Sequence, residues 1–542
     1  MVEKTLKKFF KFPVSAIFII ILFLFSYEGP KIAWSAEIPQ RGGTLVFAVE
    51  SDPPTYDAHR ENTFAVIHPV SPHYSLLLRF DPKQYPKVIG DLAENWSISR
   101  DHMNYTFKIH KGVKFHDGTP LTARDIKATY EKIIFPAAGV ISVKKALYSA
   151  VEKVEAPDDH TVIFRLKRPA ASFLTSLASP WNYIYKADIL AKDPHWYEKN
   201  IMGSGPFKFV EHVAGSHWVG KRNEDYFVRD RPFLDGYRAI FIKDVSARVA
   251  AIRSGRVSAE FRFLMPPQRD DLVRALGEKI KVQEISNVST GLVIFNCEKK
   301  PFNDPRVRRA LTLAIDRWEG AKALSRISNM KEVGGLLRPG SEFAMGVAEL
   351  SQVAGFGKDI EASRKEARRL LREAGIPDGF SFEIQNRPPH LPWETRAIWF
   401  IDQWRKIGLN AKQKMMEYGV AMNQLRSGNF EVAQHAISDF MDEPDLQFIG
   451  FISSDKSPGN HGRYQDRVLD DLYQKQSQTM DPVERKKLCR LFQMRVMDEM
   501  AYAFPSPWTH RIVANWAKVK GWDILPSHFL NQDLMNVWLD KD

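Results

Sequence analysis

One short apolar run near the start divides what this chain sheds from what it folds. Lys4, Lys7, Lys8 and Lys11 precede an uncharged stretch at 14–25 (VSAIFIIILFLF), and the small residues Ala33, Ser35 and Ala36 follow. A basic head, a brief apolar core and an Ala33-Trp34-Ser35 pattern describe a secretory signal peptide over 1–36, expected to be cleaved. A membrane anchor needs roughly 18 apolar residues or more, and this run is shorter. No cysteine stands near the cleavage pattern, so a lipid anchor is not expected. No later segment reads as a transmembrane helix, and the rest of the chain is expected to fold outside the inner membrane.

That remainder is long enough for two or three domains with cores of their own. The net charge of +12 is spread along the chain, not gathered in blocks. A solvated surface accounts for it better than nucleic-acid binding does. The two cysteines, Cys297 in an apolar strand-like run (LVIFNC) and Cys489 in a helical one (KKLCRLF), read as buried free thiols. Two cysteines cannot build a four-cysteine zinc site. Catalytic signatures are absent from the sequence. Gly203-Ser204-Gly205-Pro206 lacks the spacing of a nucleophile elbow, and there is no phosphate-binding loop and no HExxH helix. His68 and His73, five apart among prolines, make a weak metal pair at best. No enzyme, cofactor or metal is expected.

The periodicity places a strand at 43–50, ended by Ser51-Asp52-Pro53-Pro54. Alternation over 105–115 suits half-exposed strands, Thr122 caps a helix with Asp125 three residues on, and 151–156 with 161–166 form a hairpin. A second hairpin joins 207–210 to 217–221, a strand at 237–243 leads to a helix stopped by Gly255, and Asp304-Pro305 opens another helix. From 360 onward the order is helix (360–374), strand (380–384), helix (393–407), strand (409–415), helix (418–426), strand (430–437), which describes a doubly wound α/β unit. Helices follow at 468–476 and 482–500, and a tail rich in proline and tryptophan returns to short strands.

Four phrases stand in a fixed order: GGTLVFAVESDPPTYDAH, then VIGDLAENWSISRDHMNYTFKIHKGVKFHDGTPLTARDIKATYEKI, then MGSGPFKFVEHVAGSHWVGKRNEDYF, then FNCEKKPFNDPRVRRALTLAIDR. Together they resemble the peptide/nickel class of periplasmic solute-binding proteins, extracellular solute-binding family 5, whose members are the receptor subunits of ABC importers. The resemblance implies an α/β, bilobed periplasmic-binding-protein fold (type II, cluster C) with an extra inserted domain. Lobe I would comprise 41–80, 195–290 and 505–542, the inserted domain 81–194, and lobe II 291–504, with crossovers near Val288 and Ala503 as the hinge. It further implies a periplasmic monomer that encloses a peptide or other small solute between its lobes and delivers it to an ABC permease and ATPase in the inner membrane.

Three segments are expected at the cleft. Phe64 represents the loop after the first strand, an aromatic suited to a ligand wall. Arg387 stands at the carboxyl end of a strand in lobe II, where open α/β sheets bind ligands, and its fork suits a carboxylate. The third segment is 435–445, with His435, Asp439 and Asp442 as candidates. Asp439 matches the family's acidic receiver of a peptide amino group, although the aromatic expected before it is missing and the alignment can slide to Asp442. That departure leaves opine-like conjugates, oligosaccharides and metal chelates open beside peptides. Trp181 (SPWN) and Trp508 (SPWT) offer stacking surfaces. Two rival readings remain: a secreted hydrolase working through cleft carboxylates, and a receptor presenting its ligand to a membrane sensor.

Overall fold

The opening strand, Thr44–Val49, alternates its side chains between two cores. Leu45, Phe47 and Val49 face one, and Ala48 faces the other. In this computed structural model, which describes residues 37–541 except Pro389 and Asp439, the strand lies inside a sheet of eight. The leader read at 1–36 lies outside the described residues. Thr44–Val49 runs parallel to Gly236–Phe241 and to Ala259–Glu260. The hairpin of Phe207–Val213 with His217–Arg222 extends one side of the sheet, and Trp508–Trp516 with Ile280–Ser286 extends the other. Helices Val245–Arg253 and Pro266–Leu276 cover the face bearing Ala48.

On the opposite face the core continues into a four-stranded antiparallel sheet, in the order Ala93–Ile98, Asn104–Ile109, Thr161–Leu166, Val151–Asp158. Helix Ala123–Ile134 packs on it through Ile126, Tyr130 and Ile133. Its start is fixed as the sequence suggests: the Asp125 carboxylate accepts from the Thr122 N–H at 2.8 Å, and also from the Ala187 N–H at 2.8 Å. The alternation over 105–115 overreaches. Pairing in this sheet ends at Ile109, because Gly112, at φ 76°, turns the chain away, while Val113 and Phe115 keep their side chains in the core. Gly203 and Gly205 allow a close approach of two backbones: a Cβ on either would stand 2.0 Å from the His73 carbonyl oxygen or 2.4 Å from its carbon.

A second main sheet has five strands, in the order Asn410–Met415, Ser381–Asn386, Val432–Ser438, Ser289–Phe295, Ala503–Pro505. The first three are parallel, with helices His390–Arg405 and Tyr418–Ser427 between them, as the doubly wound pattern implies. The last two join antiparallel, so the sheet is mixed. Ser289–Phe295 is buried on both faces, Leu292 and Ile294 toward one core, Val293 and Phe295 toward another.

The two main sheets are linked side by side. Ile280–Ser286 passes through Asn287 and Val288 into Ser289–Phe295, and Ala503–Pro505 passes through Ser506 and Pro507 into Trp508–Trp516. The Asn287 N–H donates to the Thr509 carbonyl at 2.9 Å, the Thr509 hydroxyl to the Ser289 carbonyl at 2.7 Å, and the Ser506 N–H to the Gly291 carbonyl at 2.8 Å. One short strand from the 291–504 range, Met330–Glu332, pairs with Trp508 and Thr509 at the edge of the first sheet.

The joint between the eight-stranded and four-stranded sheets contains a buried ion pair. Lys132 Nζ lies 2.5 Å from Asp57 Oδ2, with side chains 6% and 3% exposed. Asp57 also accepts from the His59 N–H at 2.9 Å and the Tyr185 hydroxyl at 3.0 Å. Burial pushes this carboxyl up, but His59 and Lys132 outweigh burial and hold it below its ordinary value. A carboxyl lowered in the folded state stabilises the protein above its unfolded pKa, and that contribution is lost as pH falls through the folded one. Asp57→Asn strands a buried cation and is expected to lose about 3–5 kcal/mol in urea denaturation at neutral pH. Below about pH 4, where the unfolded carboxyl protonates first, the difference from wild type should shrink, and it is lost as pH falls through the lowered folded value.

Candidate functional site

Parallel strands end on a common edge, and that fact fixes where chemistry collects here. In the second sheet the strands Ser381–Asn386 and Asn410–Met415 end level with each other, followed by Arg387 and by Tyr418 at a helix start, and Val432–Ser438 runs the same way past them before Phe440. In the first sheet Thr44–Val49, Ala259–Glu260 and Ile280–Ser286 run the same way, the first two followed by Glu50 and Arg262 and the third continuing past them to the crossing at Asn287. Ser289, just across, pairs with Ser438 at the end of its strand. The crossings therefore bring the carboxyl edges of both sheets to the same place, the position at which open α/β sheets receive ligands.

On the first-sheet side, Phe64 begins the helix Phe64–Val70, where the Thr63 hydroxyl accepts the Ala65 N–H at 3.3 Å. Its half-buried ring lies under the Arg262 guanidinium, 4.1 Å from Cζ, and Arg262 pairs in turn with Glu50. Behind it, Glu260 is buried, and burial pushes its carboxyl up against the pull of Arg248 and Arg262. The two histidines that made a weak metal pair are engaged separately. His73 Nδ1 donates to the Phe207 carbonyl at 2.8 Å while its Nε2 accepts from the Trp218 indole at 2.8 Å, and His68 Nε2 donates to the His528 carbonyl at 3.1 Å. No group of three or more metal-ligating side chains occurs among the described residues.

On the second-sheet side, the half-buried Arg387 rests on Trp393 and Tyr418, with Cζ 4.3 and 4.8 Å from their ring centres. His435 faces His461 edge-on, ring centres 5.1 Å apart. Burial, then the neighbouring His461 and Arg387, push the His435 imidazole down to about 3, so it is neutral, and its Nδ1 has no hydrogen-bond partner. Both rings line a cavity of about 170 Å³. Leu292, Ile437, Phe451 and Tyr502 supply apolar wall, and Gln447 supplies a buried amide whose oxygen and nitrogen both lack partners. The arrangement suits an uncharged or hydrogen-bonding group enclosed by hydrocarbon.

The remaining candidates are placed as follows. Asp439 lies outside the described residues. Asp442 is spent inside the protein: Arg338 grips it with Nε at 3.0 and 2.9 Å from its two oxygens and Nη2 at 2.7 Å, and its carboxylate is 4% exposed. Trp181 is buried between Phe440 and Phe529, ring centres 5.2 and 4.7 Å away, with the Lys144 ammonium 4.1 Å above its ring. Trp508 is fully buried at the crossing, and its indole donates to the Gly335 carbonyl at 2.9 Å. Arg387 and His435 thus share an edge, Phe64 belongs to the other sheet, Trp181 meets the segment after the third strand, and Trp508 packs beneath. Arg338, Trp393, Arg396, Gln447 and His461 escaped the sequence reading. A signal existed for one: Arg396 falls on the inward stripe of its helix with Phe400 and Trp404, where an arginine is out of place.

Residues 87–459 match the model of the bacterial extracellular solute-binding proteins, family 5 Middle. The chain is 27% identical over 525 residues to the oligopeptide-binding protein AppA of Bacillus subtilis (strain 168), covering 91% of this chain and 92% of that one. It is 25% identical over 499 residues to the dipeptide-binding protein of Escherichia coli (strain K12), covering 86% and 90%. Among solved structures, the periplasmic binding protein DppA of Helicobacter pylori, in complex with peptide STSA, superposes with a TM-score of 0.76 at 24% identity, over 93% of this chain and 99% of that one. The α/β, bilobed fold implied by the sequence is the fold found. The chain belongs to the bacterial extracellular solute-binding proteins, family 5, the substrate-binding subunits of ABC importers.

Proposed function

We propose that this protein captures a peptide or peptide-like solute between two lobes and presents the closed form to a membrane permease and its ATPase. The first lobe takes in 41–80, 195–290 and 505–542, the inserted domain 81–194, and the second lobe 291–504. The leader at 1–36 directs export to the periplasm, and the solute leaves chemically unchanged. The observation that carries this reading is the meeting of both carboxyl edges at two tied crossings, which makes a hinge beside a cleft. The relatives named for oligopeptides and a dipeptide support the peptide class. In this reading, the arrangement described is the closed one.

Contacts between the inserted domain and the second lobe hold it shut. The Asp442 N–H donates to the Tyr85 hydroxyl at 2.9 Å, the Ser172 hydroxyl donates to Asp445 at 2.6 Å, and the Ala171 N–H donates to the Ser477 carbonyl at 2.9 Å. Trp181 against Phe440 adds the apolar part. Each polar contact forms only on closure, so each adds to ligand affinity without touching the ligand.

Two measurements check this. Mass spectrometry of material copurifying with the native protein should find a peptide-like solute, and small-angle scattering should show compaction when a peptide pool is added to stripped protein. A cleaved solute or an unchanged radius of gyration defeats the reading. Removing the two hydroxyls in Tyr85→Phe/Ser172→Ala should weaken pooled-peptide binding by about 1–3 kcal/mol, at about 0.5–1.5 kcal/mol per bond. By contrast, Arg338→Met leaves Asp442 buried and unpaired, and should lower the melting temperature with or without ligand through a loss of about 3–5 kcal/mol.

A further inference from the structure

The cavity lined by His435 and His461 is small. At about 170 Å³ it falls below the roughly 300–1,000 Å³ in which proteins bury a drug-sized ligand. It takes one side-chain-sized group, so an extended solute must leave most of its length outside it.

The cavity's wall at Leu446 and Ile449 is shared. The same two side chains line a groove of about 330 Å³ on the seam between the inserted domain and the second lobe, so the two spaces stand back to back across one layer of side chains. Ala146 and Ser149, on the inserted-domain side of that groove, also line a larger outer groove of about 660 Å³ at the start of the strand Val151–Asp158. The seam is fastened within the first groove. Ser172, whose hydroxyl donates to Asp445, belongs to its lining, and so does Ser477, whose carbonyl accepts the Ala171 N–H. In the capture reading those partners separate when the lobes open, so this groove has both of its walls only in the closed form.

The chemistry along the run is one-sided. Phe135 and Val143 line the outer groove while 46% and 44% exposed, and Ile449 is exposed at the shared wall. Single exposed apolar side chains are ordinary, whereas a succession of them along connected grooves marks a binding surface. The cations are Lys145 and Lys167 in the outer groove and Arg168 at the seam. Among the described residues no carboxylate lines the outer groove, and neither lysine has an ion-pair partner. Arg168 donates to the Ser149 hydroxyl at 3.3 Å. The carboxylate at the seam, Asp445, is engaged by the Ser172 hydroxyl, the Gln476 amide and Arg485. Unmatched cations beside an apolar wall suit an anionic, partly apolar chain and repel a basic one.

We propose that the seam groove and its outward continuation form an outer subsite for the trailing part of a long solute: an extended peptide whose inner group fills the small cavity and whose outer, acidic residues lie along Ile449, Ala146 and Phe135 beside Lys145, Lys167 and Arg168. This rests on the capture reading and narrows it to solutes longer than a tripeptide. Leu446 and Ile449 are the threshold over which the chain passes. A chain lying in the seam touches both the inserted domain and the second lobe, so it favours the closed form by contacts the open form cannot make.

The test uses the full mature chain, stripped of bound solute, and three probes: a pool of di- and tripeptides, a pool of hexa- to octapeptides with two aspartates at each end, and the same long pool with asparagines in their place. Calorimetry should find the acidic long pool bound about 3–30-fold more tightly than the asparagine pool, the range for two exposed ion pairs, with the ratio shrinking in high salt. Lys145→Gln/Lys167→Gln should bring that ratio to one and leave the short pool unchanged. A benzoylphenylalanine photocrosslinker in place of Ala146, which is exposed where the two grooves meet, should capture the long peptides and not the short ones. Crosslinking decides the path and the ratio decides the lysines. Without capture of the long peptides at Ala146 the outer subsite is overturned. A ratio of one in wild type, or a ratio that the double variant leaves intact, overturns the part given to the lysines. Both failures leave the capture of short peptides standing. If no pool binds, the peptide reading fails and the subsite falls with it.

Discussion

The two main sheets depend on one another through the hydrogen bonds that tie two strands together where they leave one sheet and enter the other. Asn287 to Thr509, Thr509 to Ser289 and Ser506 to Gly291 keep the crossing segments adjacent. Two strands held side by side resist shear and twist but still bend about the line of their crossing, since bending changes only a few backbone angles. With a single crossing the sheets would swivel freely, and with a broad shared core they would not move. A pair of tied crossings gives one axis of motion, and a cleft placed beside that axis changes width the most for the least strain.

The cores agree with that division. One continuous core joins the eight-stranded sheet to the four-stranded one, so those two move as a unit. The second sheet has cores on both faces that include Leu292 and Val293 on its own crossing strand. Phe440 and Met441 are exceptions: they follow the last parallel strand of the second sheet, yet pack into the first core beside Trp181. Apolar burial across a closing interface favours the closed form, and a ligand need supply only the balance.

Much of this was legible because local rules and fold agree. Thr122 with Asp125, Asp304 with Pro305 and Gly375 after a helix all mark boundaries that depend on neighbours in sequence. The doubly wound segment is legible for the same reason, since its period switches cleanly between 2 and 3.6. The strand Trp508–Trp516 was not. It reads WTHRIVANW, with polar residues at positions that are nonetheless buried on both faces. Its alternation is hidden because His510 and Arg511 are satisfied by partners far away in sequence, Glu284 and the carbonyls of Arg262 and Leu525. Asp442 shows the same limit at the site. Nothing near it in sequence announces that Arg338, some hundred residues earlier, claims its carboxylate.

Pairing, more than residue type, separates the charges that hold this protein together from those free to do something else. Asp57 with Lys132, Asp442 with Arg338, and Glu443 with Arg485 are buried and matched, and removing either member leaves the other uncompensated. Such pairs seldom gain stability over a hydrophobic filling, but once present they are rigid, because no alternative partner exists in a dry interior. At the carboxyl edge of the second sheet the pattern reverses. Arg387, Arg396, His435 and Gln447 all retain polar atoms without partners: the first follows one strand, the second lies in the helix after it, and the last two line the cavity. A folded chain carries few such atoms, since each costs about 1–3 kcal/mol. Other unpartnered atoms lie at the joint between the eight-stranded and four-stranded sheets, on Tyr74, Ser179, Asn182, Tyr183 and Ser204 among others, so what distinguishes the carboxyl edge is its place beside the two crossings.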